Sequence, residues 1–99
     1  MSKASDKVNS QELYRAILAL RNEDECRRFF HDLCTIAELR AMEQRYDVAV
    51  LLEQGMVYSD ILERTGASSA TISRVNRALN YGEDGYKDVF RHLQEQDRS

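Results

Sequence analysis

The chain has 99 residues, the size of one domain, and its 42% hydrophobic and 31% charged residues are ordinary for a soluble globular protein. It has no proline and only four glycines, which disfavours a turn-rich all-β fold and favours uninterrupted helices. The net charge of −3 argues against a generic nucleic-acid coat, and no run approaches the roughly 20 apolar residues of a membrane span.

Residues 1–9 are polar, charged and aperiodic, which predicts a flexible N-terminal arm. Without an apolar leader in this stretch, the default expectation is a cytoplasmic protein with no membrane partner. A single helical domain is expected over residues 10–95. Ser10 precedes Leu13, Ile17, Leu18 and Leu20, a helical spacing that predicts a first helix to about Arg21. Asn22 caps the next helix, with Glu23, Asp24 and Glu25 in its first turn and Cys26, Phe29, Phe30 and Leu33 on one side.

Thr35 and Glu38 have capping-box spacing at the start of a third helix. Its stripe of Leu39, Met42, Tyr46, Ala49 and Val50 runs to about Gln54, where Gly55 ends it. A short helix follows over 57–64, stopped by Thr65-Gly66, and then another over 67–79. Asn80-Tyr81-Gly82 breaks this fifth helix, a sixth is expected over 83–95, and residues 96–99 form a fraying tail. The fold class is therefore all-α, with six helices and short connections.

Two short helices joined by a glycine turn have the form of a helix-turn-helix, here over 58–79. Gly66 can take the left-handed conformation that ends the first helix, and Ser68 or Ser69 can cap the second. Ile61, Ile72, Val75 and Leu79 fall on the sides that face each other and the core. The opposite side of the second helix shows Ser69, Ala70, Ser73, Arg74 and Arg77, whose small N-terminal residues would allow close approach to base edges. Charge agrees: residues 61–80 hold Arg64, Arg74 and Arg77 against only Glu63, while 41–60 hold Arg45 against Glu43, Asp47, Glu53 and Asp60. Phosphate attraction acts over roughly 10 Å, so one basic element on an acidic chain can bind DNA. Leu62 counts against this, since a small residue is usual where such helices crowd together. It also supports the alternative, a helical protein–protein interaction module that keeps the fold without reading DNA.

The run from Thr35-Ile-Ala-Glu-Leu-Arg to Gly66-Ala-Ser-Ser-Ala-Thr-Ile-Ser-Arg-Val-Asn-Arg-Ala-Leu-Asn-Tyr-Gly82 resembles the Trp repressor superfamily, and within it the YerC/YecD-like branch. The resemblance spans about residues 13–90 and is most specific over 70–77 and 79–82. It implies a six-helix Trp repressor-like fold, an intertwined homodimer and a transcriptional regulator, a repressor, that binds double-stranded DNA with one recognition helix per half-site. The helices before Gly55 would build the dimer core. Groove-facing positions would be Ser69, Ala70 and Ser73, with Tyr58 and Ser59 at the start of the preceding helix, Ser68 at the cap, and Arg74 and Arg77 beside them. With no long base-reading side chain among the groove-facing residues, specificity would lean on water and DNA shape as well as direct bonds.

The family's founding repressor holds tryptophan between two arginines, which Arg45 and Arg74 match, and Thr35 matches a residue near the ligand carboxylate. Val75 replaces a glycine and Ala78 replaces a serine, so tryptophan is not the expected effector. The sequence leaves open whether another small molecule uses Thr35, Arg45 and Arg74. The plainer role for these arginines is to pair with acids such as Glu43 or to meet phosphates. Cys26, His31 and Cys34 fall short of a four-ligand zinc set, so buried, reduced thiols and a partly exposed histidine are the expectation. No cofactor or metal is expected. No phosphate loop, dinucleotide fingerprint or nucleophile elbow is present, so an enzyme is not expected.

Overall fold

The computed structural model describes residues 10–98, which form six α-helices and no strand. The expected arm over 1–9 lies outside the described residues. The chain divides into two compact units, Met1–Leu39 and Arg40–Ser99.

The first unit holds α1 (Ser10–Leu18), α2 (Glu23–Leu33) and the start of α3 (Ile36–Glu53). α1 ends three residues before the expected Arg21. Its last turn tightens, with Ala19 N–H donating to the carbonyls of Arg15 and Ala16 and Leu20 N–H to Ile17, so periodicity outruns the helix. Asn22 caps α2 as expected, its Oδ1 accepting from Glu25 N–H at 2.8 Å, while Glu25 Oε1 accepts from Arg21 N–H at 3.0 Å. The α3 capping box is complete: Thr35 Oγ1 accepts from Glu38 N–H at 3.1 Å, and Glu38 Oε1 accepts from Thr35 N–H at 2.9 Å.

These helix ends are well satisfied, but little apolar surface is covered. No residue of α2 is buried, and Leu39 is the first unit's single buried side chain among the described residues. Leu13, Leu18, Leu33 and Ile36 are all exposed, Leu18 at 85%. Phe29 and Phe30 meet edge to face, 5.6 Å between centroids.

The second unit carries the rest of α3 with α4 (Tyr58–Thr65), α5 (Ser69–Tyr81) and α6 (Gly85–Arg98). Val48 and Ala49 of α3, Ile61 of α4, Ala67 of the connecting turn, and Ile72 and Val75 of α5 make one buried cluster. Leu51, Leu52, Met56, Tyr86 and Phe90 pack around it, and the Phe90 ring lies 5.9 Å from Tyr46 and 6.2 Å from Tyr86. α3 ends at Glu53 and is closed through Gly55 (φ +86°), where Gly55 N–H donates to Leu52 O and Met56 N–H to Leu51 O, a Schellman motif.

α5 and α6 both run past their expected ends. α5 continues through Asn80 and Tyr81, because Asn80 Nδ2 bonds back to Asn76 (2.9 Å to O, 3.0 Å to Oδ1) instead of breaking the helix. α6 reaches Arg98, so residues 96–98 of the expected fraying tail are helical. Among the described residues, no helix is long and apolar enough to cross a membrane.

Candidate nucleic-acid interface

The α4–α5 connection is a tightly bonded turn. Gly66 sits at φ +72°, and its N–H donates to Leu62 O at 2.8 Å, closing α4. The Thr65 hydroxyl donates to Ile61 O at 2.7 Å and accepts from Ala67 N–H at 3.1 Å. Gln44 Nε2 of α3 donates to Thr65 O at 3.1 Å. The hydroxyl and the carbonyl of Thr65 are thus both occupied in a part-buried setting, which ties the turn to α3 and to Ala67. Gln44 escapes a reading of the sequence. A threonine before glycine signals the turn, but nothing in a lone glutamine signals a partner 21 residues away.

α5 then starts on Ser68, whose Oγ accepts from Thr71 N–H at 3.1 Å and donates to Thr71 Oγ1 at 3.1 Å. Of the two serines considered for this cap, Ser68 holds it, and its hydroxyl shapes the helix start. Ile72, Val75 and Leu79 are buried, one turn apart along the inner face. Ser69, Ala70, Ser73, Arg74 and Arg77 are all exposed. The helix contains two arginines and no acid, and neither arginine forms an ion pair among the described residues. Tyr58 and Ser59 lie exposed in the first turn of α4.

Leu62 is not wedged between the helices. It is exposed, and the small residue at the buried end of the turn is Ala67. Thr35 belongs to the first unit, and its hydroxyl serves the capping box. Arg45 and Arg74 belong to the second unit, are exposed, and pair with no acid among the described residues, so the expected bridge to an acid such as Glu43 is not formed. Val75 is 2% exposed and packed into its own core.

The cysteines are half-buried where buried thiols were expected, and His31 is exposed, with Nδ1 2.8 Å from Arg27 O. Among the described residues, no three His, Cys, Asp or Glu side chains gather into a metal-binding group. Asp24 accepts from Arg28 Nε at 2.9 Å and Arg27 Nη2 at 3.0 Å, and these bonds, Arg28 first, hold its carboxyl below the ordinary aspartate range.

Comparison with known proteins agrees with this architecture. The family model for the Trp repressor protein matches residues 9–94. The Bacillus subtilis (strain 168) protein YerC is 47% identical over 93 residues, covering 91% of this chain and 89% of YerC. The crystal structure of a TrpR-like protein from Eubacterium eligens ATCC 27750 superposes with a TM-score of 0.82 at 54% identity, covering 85% of this chain and 87% of that one. A Trp repressor candidate from Staphylococcus aureus gives a TM-score of 0.83 at 40% identity, covering 95% and 96%.

Proposed function

The chain belongs to the Trp repressor family, and from that premise we propose that it is a sequence-specific DNA-binding transcriptional regulator, a repressor, acting as a homodimer with one α5 helix per half-site. The observation that carries this reading is the two-faced α5. Its inner face is locked into a core, while its outer face offers small residues at the N-terminal end and unpaired arginines after them. A rigid helix presented in this way suits the major groove, which it enters N-terminus first. Ser69, Ala70 and Ser73 face base edges, Tyr58 and Ser59 lie at the groove margin, and Arg74 and Arg77 meet phosphates. Ser68 acts through the cap.

Homodimer formation gives the first unit's apolar side chains a cover. Leu13, Leu33 and Ile36 are exposed in the single chain and would be buried against a second copy. Tryptophan is not the effector in this proposal, because Val75 and Ala78 stand where the founding repressor has glycine and serine. Calorimetric titration with tryptophan should show no saturable binding at micromolar concentration. The protein is a regulator and not an enzyme.

The direct test is Arg77→Ala. Loss of one phosphate contact should weaken binding to all duplexes alike and lower the slope of log K against log salt by about one. A changed sequence preference at an unchanged slope would contradict the assignment. A chain that binds no duplex at low salt, yet retains a protein partner at high salt, would be an interaction module instead.

A further inference from the structure

We infer that Tyr81 is an additional DNA contact, its hydroxyl donating to a backbone phosphate at the C-terminal end of the recognition helix; this rests on the DNA-binding reading of α5. The helix is longer than its sequence implies. Asn80-Tyr81-Gly82 reads as a breaker, but α5 continues to Tyr81. That extension puts Tyr81 four residues beyond Arg77 and seven beyond Arg74, on the outer stripe that begins at Ala70.

Tyr81 is 86% exposed, and neither its ring nor its hydroxyl has a partner among the described residues. It is nevertheless held on an ordered turn. Gly82 N–H donates to Ala78 O at 2.9 Å, and Asn80 is tied to Asn76 in the same turn. A side chain at residue 82 would strike the carbonyl of Ala78, so glycine is required there for the close approach that ends the helix directly after Tyr81.

Position along the helix selects the phosphate over a base. At about 1.5 Å per residue, Tyr81 lies about 18 Å beyond Ser69. The major groove is about 12 Å wide. A helix that enters it N-terminus first therefore brings Tyr81 to the flanking backbone, where tyrosine hydroxyls are among the usual phosphate donors. Glu83 and Asp84 follow in the next turn, both exposed, so the footprint of this helix ends at Tyr81.

The contact is uncharged, and this separates it from Arg77. A hydroxyl releases no counterion, so its loss lowers affinity without changing the salt slope. The experiment compares the unaltered chain, Tyr81→Phe and Tyr81→Ala on fluorescein-labelled mixed-sequence duplex and on a fragment selected from genomic DNA, across a salt series. Both variants should lose about fivefold to tenfold in affinity on both probes, with slope, melting temperature and sedimentation unchanged. Wild-type affinity in Tyr81→Phe overturns the proposal, even if Tyr81→Ala is weak. A changed sedimentation coefficient also overturns it, by assigning Tyr81 to a protein contact. If the unaltered chain itself binds neither probe, the DNA reading fails and takes this inference with it; binding with unaffected variants leaves that reading intact and removes only Tyr81.

Discussion

The two units of the chain differ in what they bury. In Arg40–Ser99, three helices and a turn contribute Val48, Ala49, Ile61, Ala67, Ile72 and Val75 to one closed cluster. In Met1–Leu39, Asn22 and Thr35 cap α2 and α3, but Leu39 is the one buried side chain among that unit's described residues. Local hydrogen bonding can therefore close helix ends in a segment whose described residues bury almost no side chain. Capping is settled within three or four residues, whereas burial needs a second apolar surface. The second unit supplies that surface internally and buries the inner face of α5 against it. In the proposed dimer, the first unit obtains it from another copy.

The largest effect should come from opening the second unit's core. Ile72→Ala should cost about 2–5 kcal/mol in chemical denaturation, because Ile72 is fully buried with neighbours from three helices. A cost below about 1 kcal/mol would mean that this core is not the closed cluster described. The complementary change is Leu33→Asp in the first unit, at a side chain that is 51% exposed in the single chain. It should leave the second unit folded but weaken self-association by roughly tenfold or more, read by sedimentation across a concentration series. Unaltered association would break the comparison, since the apolar surface of the first unit would then have no role in assembly.

A smaller effect is expected at the turn. Thr65→Val removes the donor to Ile61 O and the acceptor for Ala67 N–H. It should cost about 1–2 kcal/mol and lower DNA affinity, although Thr65 lies on no proposed contact. The smallest effect is at Asp24, a solvent-exposed carboxylate on α2. Its pKa is held down by Arg28 and Arg27, so its contribution is present above the ordinary aspartate range and fades as pH falls through the lowered value. Asp24→Asn should remove that part of the acid dependence in melts recorded as a function of pH, with little change at neutral pH.

Much of this molecule is legible in its sequence, and the limits have physical causes. Caps at Asn22 and at Thr35 with Glu38, and the stop at Gly66, can be read because each is closed by residues a few positions apart. The outer face of α5 can be read because its inner face is marked by Ile72, Val75 and Leu79. Helix ends are less visible. α1 stops at Leu18 although apolar spacing continues to Leu20, and α5 passes through Asn80 because a side-chain bond to Asn76 holds it. Leu62 was misleading for a related reason: its position on α4 turns it outward, and the crowded place is filled by Ala67. The bond from Gln44 to Thr65 joins elements 21 residues apart, and no local pattern encodes it.

In the proposed dimer, the α4–α5 units of two copies read DNA as a symmetry-related pair. This pairing is tested by selecting sheared genomic DNA with the purified protein at moderate salt and sequencing the retained fragments. The expected result is a shared motif with two half-sites one helical turn apart, about 34 Å, lost as salt rises. Recovery of no sequence above background, with and without cell extract as a source of effector, would contradict it.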